Sequence, residues 1–309
     1  MSKFGRVYSL KVETDDGVRA SILEFRTRFR PHEFVEITLP IRVEFEISRG
    51  AVGSAQTGTF RLYNLSEATR DALAKDLYQF APLRAIQFRA GYQSESGGLL
   101  PLCFNGTVLT CYSTRPGTEW VTEIEAFDGG WNMANGNGVS LTQYANTTAQ
   151  DTLKQLAALL PYQVGNVIIG NFPVVNGRGE VLFGNIWDLI LQKSNGLAFI
   201  DNGQVKVLNY RDVILGMLPT ISADTGLLGF PKRTPTTLEF DMIFEPRLIV
   251  GQLIKLVSES RQLNRPWKVI SFNHHGTITT AGEAGDCLTS VVLWFTEQDL
   301  TTVSGTSVA

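Results

Sequence analysis

Cysteine and histidine are both scarce in this chain, and the scarcity excludes most metal and nucleophile chemistry. The three cysteines, Cys103, Cys111 and Cys287, are an odd number with no CxxC pair. That pattern argues against a disulfide framework and against a zinc knuckle. Cys103 and Cys111 have the spacing to meet across a hairpin, but buried free thiols are the favoured state, in keeping with synthesis in a reducing cytoplasm. Of the three histidines, His32 stands in a Pro31-His32-Glu33 turn. His274 and His275 are adjacent, so on a strand they point to opposite faces and cannot share a metal. The favoured reading of the pair is a polar turn residue beside a strand residue.

Charge is also thin. Charged residues make up 18% of the chain and the net charge is −3, which gives no basic footprint for nucleic acid. No apolar run approaches the roughly 20 residues that a membrane helix needs, and Met1 to Leu10 shows no apolar core or cleavage site of a signal peptide. A soluble protein is expected. No GxSxG elbow, Walker loop or HExxH helix is present, and Gly129-Gly130 and Gly136 to Gly138 read as a loop. Carboxylates remain as a route to hydrolysis. Glu123 and Glu125 share one strand face, as do Glu44 and Glu46, and a polar outer face explains both pairs without catalysis. Neither a catalytic residue, nor a metal, nor a cofactor is expected.

What the sequence has is strand pattern. Its 309 residues, 43% hydrophobic, suffice for two or three compact domains. Val43 to Ile47, Thr57 to Tyr63 and Trp120 to Phe127 alternate with period two, the mark of half-buried strands. Glycine and asparagine clusters at 50–53, 91–98 and 129–138 punctuate them, as in a barrel or sandwich. Three helices interrupt the pattern. The first starts at the N-cap Ser66 and runs to about Tyr78. The second follows Thr148, with Asp151 as its capping-box partner, and stops at Pro161. The third covers Ile186 to about Ser194, and Asn195-Gly196 ends it. Leu197 to Asp201 and Gln204 to Leu208 then flank Asn202-Gly203, a hairpin signal for a type I′ turn.

The two ends of the chain read as copies of one plan. Val43 to Ile47, Leu83 to Phe88, Phe104 to Leu109 and Trp120 to Phe127 match Leu238 to Met242, Gln252 to Leu256, Trp267 to Phe272 and Leu288 to Phe295. This predicts a first β module over 1–132, an inserted α+β segment with the hairpin over 133–214, and a second β module over 215–309. The fold class is mainly β with a few helices.

Two surface readings stand out. In Phe25 to Arg30, Arg26, Arg28 and Arg30 fall on one strand face and Phe25 and Phe29 on the other. A solvated face explains them, and a subunit interface with carboxylates is the sharper expectation. Trp131, Tyr144 and Tyr112 are candidate sugar platforms, which would make the chain a carbohydrate-binding tail or surface module. Core or interface aromatics explain them as well.

Thr59-Phe60-Arg61-Leu62-Tyr63-Asn64-Leu65-Ser66 with Ala68-Thr69-Arg70 resembles the strand–turn–helix of tailed-bacteriophage baseplate hub proteins. The resemblance continues through Ala90-Gly91-Tyr92, Phe104-Asn105-Gly106-Thr107-Val108, and Thr122, Ile124, Asp128 and Gly129. It extends over Leu228-Gly229-Phe230-Pro231, Phe244-Glu245-Pro246-Arg247-Leu248 and Gly251 to Leu256. It implies two tail-tube-like β-barrels with an inserted segment. It further implies a homotrimer, a pseudo-six-fold ring and symmetry adaptor, that meets the tail tube protein, the central spike protein and other baseplate proteins. The protein would be a structural part of the virion, in the viral tail baseplate, assembled in the host cytoplasm, with no membrane contact and no specific nucleic acid once assembled. No catalytic residue is carried over. The polar tail Thr301 to Ala309 is expected to be disordered or to dock onto a partner.

Overall fold

A computed structural model describes residues 5–14, 34–51, 56–74, 84–93, 99–129, 138–160, 167–216, 218–280, 285–294 and 301–303. The chain is mainly β. Its first run of strands is β1 (Arg6–Glu13), β2 (Phe34–Thr38), β3 (Val43–Gly50), β4 (Gln56–Tyr63), β5 (Ala85–Tyr92), β6 (Leu102–Thr114) and β7 (Val121–Asp128), with helix α1 (Glu67–Leu73) between β4 and β5. In β3 the odd positions Val43, Phe45, Ile47 and Arg49 are buried and the even ones are more exposed, as period-two patterning requires. Neighbours lie in the order β3-β4-β7-β6-β5-β1-β2. Their inward side chains share one core that includes Tyr8, Phe45, Phe60, Phe88, Tyr92 and Phe104.

The middle of the chain builds a separate core. Strands β8 (Gly138–Gln143) and β10 (Glu180–Asn185) pair as a two-stranded sheet, and β9 (Ile168–Ile169), β11 (Ala198–Asp201) and β12 (Gln204–Val207) form another. Helices α2 (Ala149–Ala158) and α3 (Ile186–Ser194) pack together over Leu153, Leu156, Trp187, Ile190, Ile200 and Val205. The predicted hairpin is present, with Asn202 at φ 54° and Gly203 at φ 78°. The stop of α3 is also as expected, with Asn195 left-handed at φ 55°. Thr148 caps α2, but not in a reciprocal box: its hydroxyl donates to Asp151 Oδ2 and accepts from the Asp151 amide. Within the described residues α1 ends at Leu73, short of Tyr78.

The last run comprises β13 (Asp212–Ile214), β14 (Thr220–Ile221), β15 (Leu227–Arg233), β16 (Thr237–Ile243), β17 (Leu253–Leu256), β18 (Pro266–Ile278), β19 (Cys287–Trp294) and β20 (Thr301–Val303). Its order is β15-β16-β19-β18, with β17 on the far side of β18. That order repeats β3-β4-β7-β6-β5 strand for strand. The ladder β6–β7 is irregular between Val108 and Thr110, and β18–β19 between Val269 and Ser271. Aligning these bulges sets Phe60 on Phe240, Arg61 on Asp241, Phe88 on Leu256 and Glu123 on Ser290. One pairing expected from sequence is corrected. Leu238 to Met242 is the counterpart of β4, not of Val43 to Ile47, because β15 occupies the position of β3.

Among the described residues neither run is closed by a further ladder. Instead they are fused: β3 and β18 pair antiparallel over Val43–Gly50 and Ser271–Ile278. The tail differs from expectation in part. Thr301 to Val303 pairs with β13 of its own chain, while 304–309 lie outside the described residues.

Candidate functional site

The contact between the first run and the middle hairpin holds four buried charged groups, Arg49, Asp128, Asp201 and Lys206. Arg49, at the end of β3, faces inward and reaches the hairpin turn. It pairs with Asp201, donates to Asn202 Oδ1 at 2.6 Å, and lies 3.8 Å from Asp128 Oδ2. Lys206 Nζ donates to the other oxygen of Asp201 at 2.5 Å. The amides of Asn202 and Gly203 both donate to the Asp128 carboxylate. The left-handed Asn-Gly turn aims two consecutive N–H groups the same way, and Asp128, at the end of β7, accepts both.

These charges are sealed from water, so their ionisation is perturbed. Burial pushes Asp128 up from 3.8 to about 7, against the pull of Arg49 and the two amides. Burial works the same way on Asp201, but Lys206 and Arg49 outweigh it and hold its carboxyl below the usual range. A second, simpler latch ties the middle segment to the last run. Lys268 Nζ donates to the carbonyls of Asn209 and Tyr210 at 2.9 and 3.2 Å, and burial lowers its pKa to about 8. Asp212 Oδ2 caps the same loop by accepting from Asn209 and Asn171 amides, each at 2.9 Å.

His274 and His275 both lie in β18, so neither is a turn residue. His274 is buried, with Nδ1 2.8 Å from Thr289 Oγ1, and burial lowers its pKa to about 3. His275 stands on the opposite, partly exposed face. The three cysteines are free and buried. Cys103 and Cys111 sit on the same strand and cannot bridge a hairpin, and burial pushes each thiol to about 12. Among the described residues no cluster of His, Cys, Asp or Glu could hold a metal, and no helix is long and apolar enough to cross a membrane.

The carboxylate pairs are held by structural partners. Glu123 accepts from Arg61 and Tyr112, and Glu125 from Thr110. Glu44 pairs with Arg42, and Glu46 accepts from Asn273 across the β3–β18 join. Tyr112 and Tyr144 are both exposed, but Tyr112 lies in β6 and Tyr144 in the loop that follows β8. Arg26, Arg28, Arg30, His32 and Trp131 lie outside the described residues, so the arginine face stays an expectation. The Arg49 cluster escaped sequence reasoning. Its only sequence signal was two charges, Asp201 and Lys206, inside an otherwise apolar hairpin.

The outer surfaces have a different character. Among the described residues strand β15 ends the sheet, and it exposes Leu228 (39%) and Phe230 (62%). Strand β10 exposes Val181 and Phe183 beside Ser140 and Thr142 of β8. Sheet edges and exposed apolar patches are surfaces at which proteins can associate.

A sequence comparison with curated proteins returns no match. In structure the chain is similar to the tail protein from Neisseria meningitidis MC58, with a TM-score of 0.56 at 10% identity over 94% of this chain and 97% of that one. It is also similar to the 43 kDa tail protein of prophage MuSo2 from Shewanella oneidensis, with a TM-score of 0.56 at 8% identity over 94% and 96%. The E. coli c3393 protein, a component of the type VI secretion system, gives 0.54 at 10% identity over 87% and 77%. These likenesses establish a phage-tail fold. The family model of baseplate hub gp41 matches residues 26–274, and over that span this chain belongs to the baseplate hub gp41 family.

Proposed function

We propose that this chain is a structural subunit of a phage tail baseplate hub, three copies of which form a ring of six β modules between the tail tube and the central spike. The observation that carries the reading is the repeated strand order, β3-β4-β7-β6-β5 and β15-β16-β19-β18-β17, fused through the β3–β18 ladder. A chain with two like modules in series gives a three-fold ring near-six-fold character. It can then meet a six-fold tube on one face and a three-fold spike on the other.

In this reading the units are 1–132, 133–214 and 215–309. Core clusters centred on the first run, the middle and the last run support the division, although Phe244, Ile278 and Cys287 pack into the first and Ile168, Phe199 and Leu208 into the last. The working parts are contact surfaces rather than a reaction centre. The partners are two further copies, the tube protein, the spike protein and other baseplate proteins. The protein assembles in the host cytoplasm and ends in the virion tail. Arg26, Arg28 and Arg30 are assigned to a subunit contact.

Light scattering on the purified protein over a range of concentrations tests the reading. The expected species is about 102 kDa, three times 34.1 kDa. A stable dimer throughout would overturn the ring.

A further inference from the structure

We propose that the Asn202-Gly203 hairpin is a releasable catch: its tip undocks from the first run while the middle segment stays seated on the last run, and Asp128 is the group that decides between the two states.

The middle segment is held to its two neighbours by different chemistry. Toward the last run the hold is apolar packing and backbone pairing. Ile168, Phe199 and Leu208 are part of the last run's core. Strand β13 pairs with β20, the Ile214 amide donates to the Gly251 carbonyl at 2.8 Å, and Tyr210 stacks on Trp294 with ring centroids 5.4 Å apart. Toward the first run, among the described residues, the core takes no side chain from 138–214. The tip is held there by polar groups. Arg49 binds Asp201 and Asn202, the Asn202 and Gly203 amides donate to Asp128, and Asn105 Nδ2 donates to the Asn202 carbonyl at 3.3 Å. Ile200 lies against bare backbone at Gly129, where a Cβ would come within 2.6 Å of it. Apolar packing is indifferent to pH, whereas buried ions offset their desolvation only while every partner is in place. Docking of the tip is therefore specific in geometry and small in net free energy.

Charge sets the direction. Burial keeps the proton on docked Asp128 to about pH 7, against the pull of Arg49, whereas in water the carboxyl ionises near 3.8. Its preference for the docked state is thus present at low pH and lost as pH rises from about 4 to 7. The groups that face the cluster from the neighbouring elements do not titrate in that interval. Asp201 of the hairpin, against the push of burial, is held below the usual carboxylate range by Lys206 and Arg49. Burial holds His274 of β18 down at about 3 and Cys103 of β6 up at about 12. Lys268, in the seat on the last run, is lowered by burial only to about 8. Undocking exchanges a sealed contact for four solvated charges, Arg49, Asp128, Asp201 and Lys206, and a rise in pH favours it.

Hydrogen exchange on the unmodified full chain, with each rate divided by that of a free amide at the same pH, tests the catch. The Asn202 and Gly203 amides donate to Asp128, so they exchange when the tip lifts. Their protection is expected to fall about tenfold per pH unit between about pH 5 and about pH 7, and to level off above. Protection of the Ile214 amide, seated on Gly251, stays level over the same range. Asp128→Asn is expected to remove the slope at the tip. A flat profile at the tip, a tip and an Ile214 amide that lose protection together, or a slope that survives Asp128→Asn overturns the proposal. If the variant fails to fold, the contrast between the tip and Ile214 in the unmodified protein decides alone.

Discussion

The first and last strand runs share one strand order and one bulge but differ in how much of the core is aromatic. The first packs Tyr8, Phe45, Phe60, Phe88, Tyr92 and Phe104 into an aromatic cluster, with ring centroids such as Phe45–Phe88 5.0 Å apart and Phe60–Phe88 5.1 Å apart. The last fills the same topology mainly with aliphatic side chains, Leu238, Met242, Ile254, Leu256, Val269 and Leu293, around Phe240, Trp267 and Phe272. The difference teaches that topology here follows from alternation and turns, not from particular side chains. It also locates specificity elsewhere, in the few inward polar groups and in the strand edges, where the two runs diverge.

The sharpest break of the comparison is at one shared position. Phe88 and Leu256 are equivalent and both fully buried. Phe88→Ala should cost about 3–5 kcal/mol and Leu256→Ala about 2–5 kcal/mol, with the first the larger. Loss of hydrogen-exchange protection in β5 and in β17 reads the two locally, which suits a chain with several cores. Equal losses would show that the aromatic contacts add nothing beyond area.

The latches come next. Arg49→Leu removes one of the two cations on the buried Asp201, leaving Lys206 alone, and the donor to Asn202 Oδ1, so about 3 kcal/mol should be lost at the hairpin. Lys268→Met strands only the carbonyls of Asn209 and Tyr210, and about 1–3 kcal/mol should be lost at that loop. Exchange at the Asn202 and Gly203 amides, against exchange at the Asp212 amide, ranks them. If Lys268→Met costs more, charge burial is not what distinguishes the two joins.

Two buried groups, Asp128 at the hairpin and His274 in β18, set opposed pH dependences. Asp128 keeps its proton to about pH 7 when folded but ionises near 3.8 when unfolded. Its contribution is therefore present at low pH and lost as pH rises from about 4 to 7. His274 stays neutral down to about pH 3 when folded but takes a proton near 6.5 when unfolded. Its contribution is present above 6.5 and lost as pH falls towards 3. Between about pH 4 and 6.5 the slopes oppose. Asp128→Asn should leave stability rising with pH across that window, and His274→Gln should leave it falling, each by up to about 1.4 kcal/mol per pH unit. Denaturation midpoints at several pH values check both signs.

Much of the fold was legible because its cues are local. Ser66, Thr148 and Asn195-Gly196 sit where helices start and stop, and Asn202-Gly203 makes its turn. The repeat was legible in three of its four strands and slipped at β16, since period-two alternation looks alike in adjacent strands and only pairing separates them. The Arg49 cluster was not legible. It joins residues 152 apart in sequence, and Ile47-Ser48-Arg49-Gly50 reads as a polar strand end. Edge status was also hidden, because Leu228 and Phe230 look like core residues until the strand order shows what does and does not lie beside them.

The smallest expected effect refines the comparison at its surface. At equivalent positions the first run places Arg61 against Glu123 and the last places Asp241 against Ser290, whose hydroxyl donates at 2.6 Å. Arg61 is half exposed, so water and salt screen the ion pair. Glu123→Gln should therefore cost only about 0.2–1 kcal/mol, shrinking further in high salt. Ser290→Ala should cost about 0.5–1.5 kcal/mol with little salt dependence. Denaturation at low and high ionic strength distinguishes them. A salt-insensitive loss at Glu123 larger than about 1 kcal/mol would mean that this carboxylate does more than pin a surface arginine.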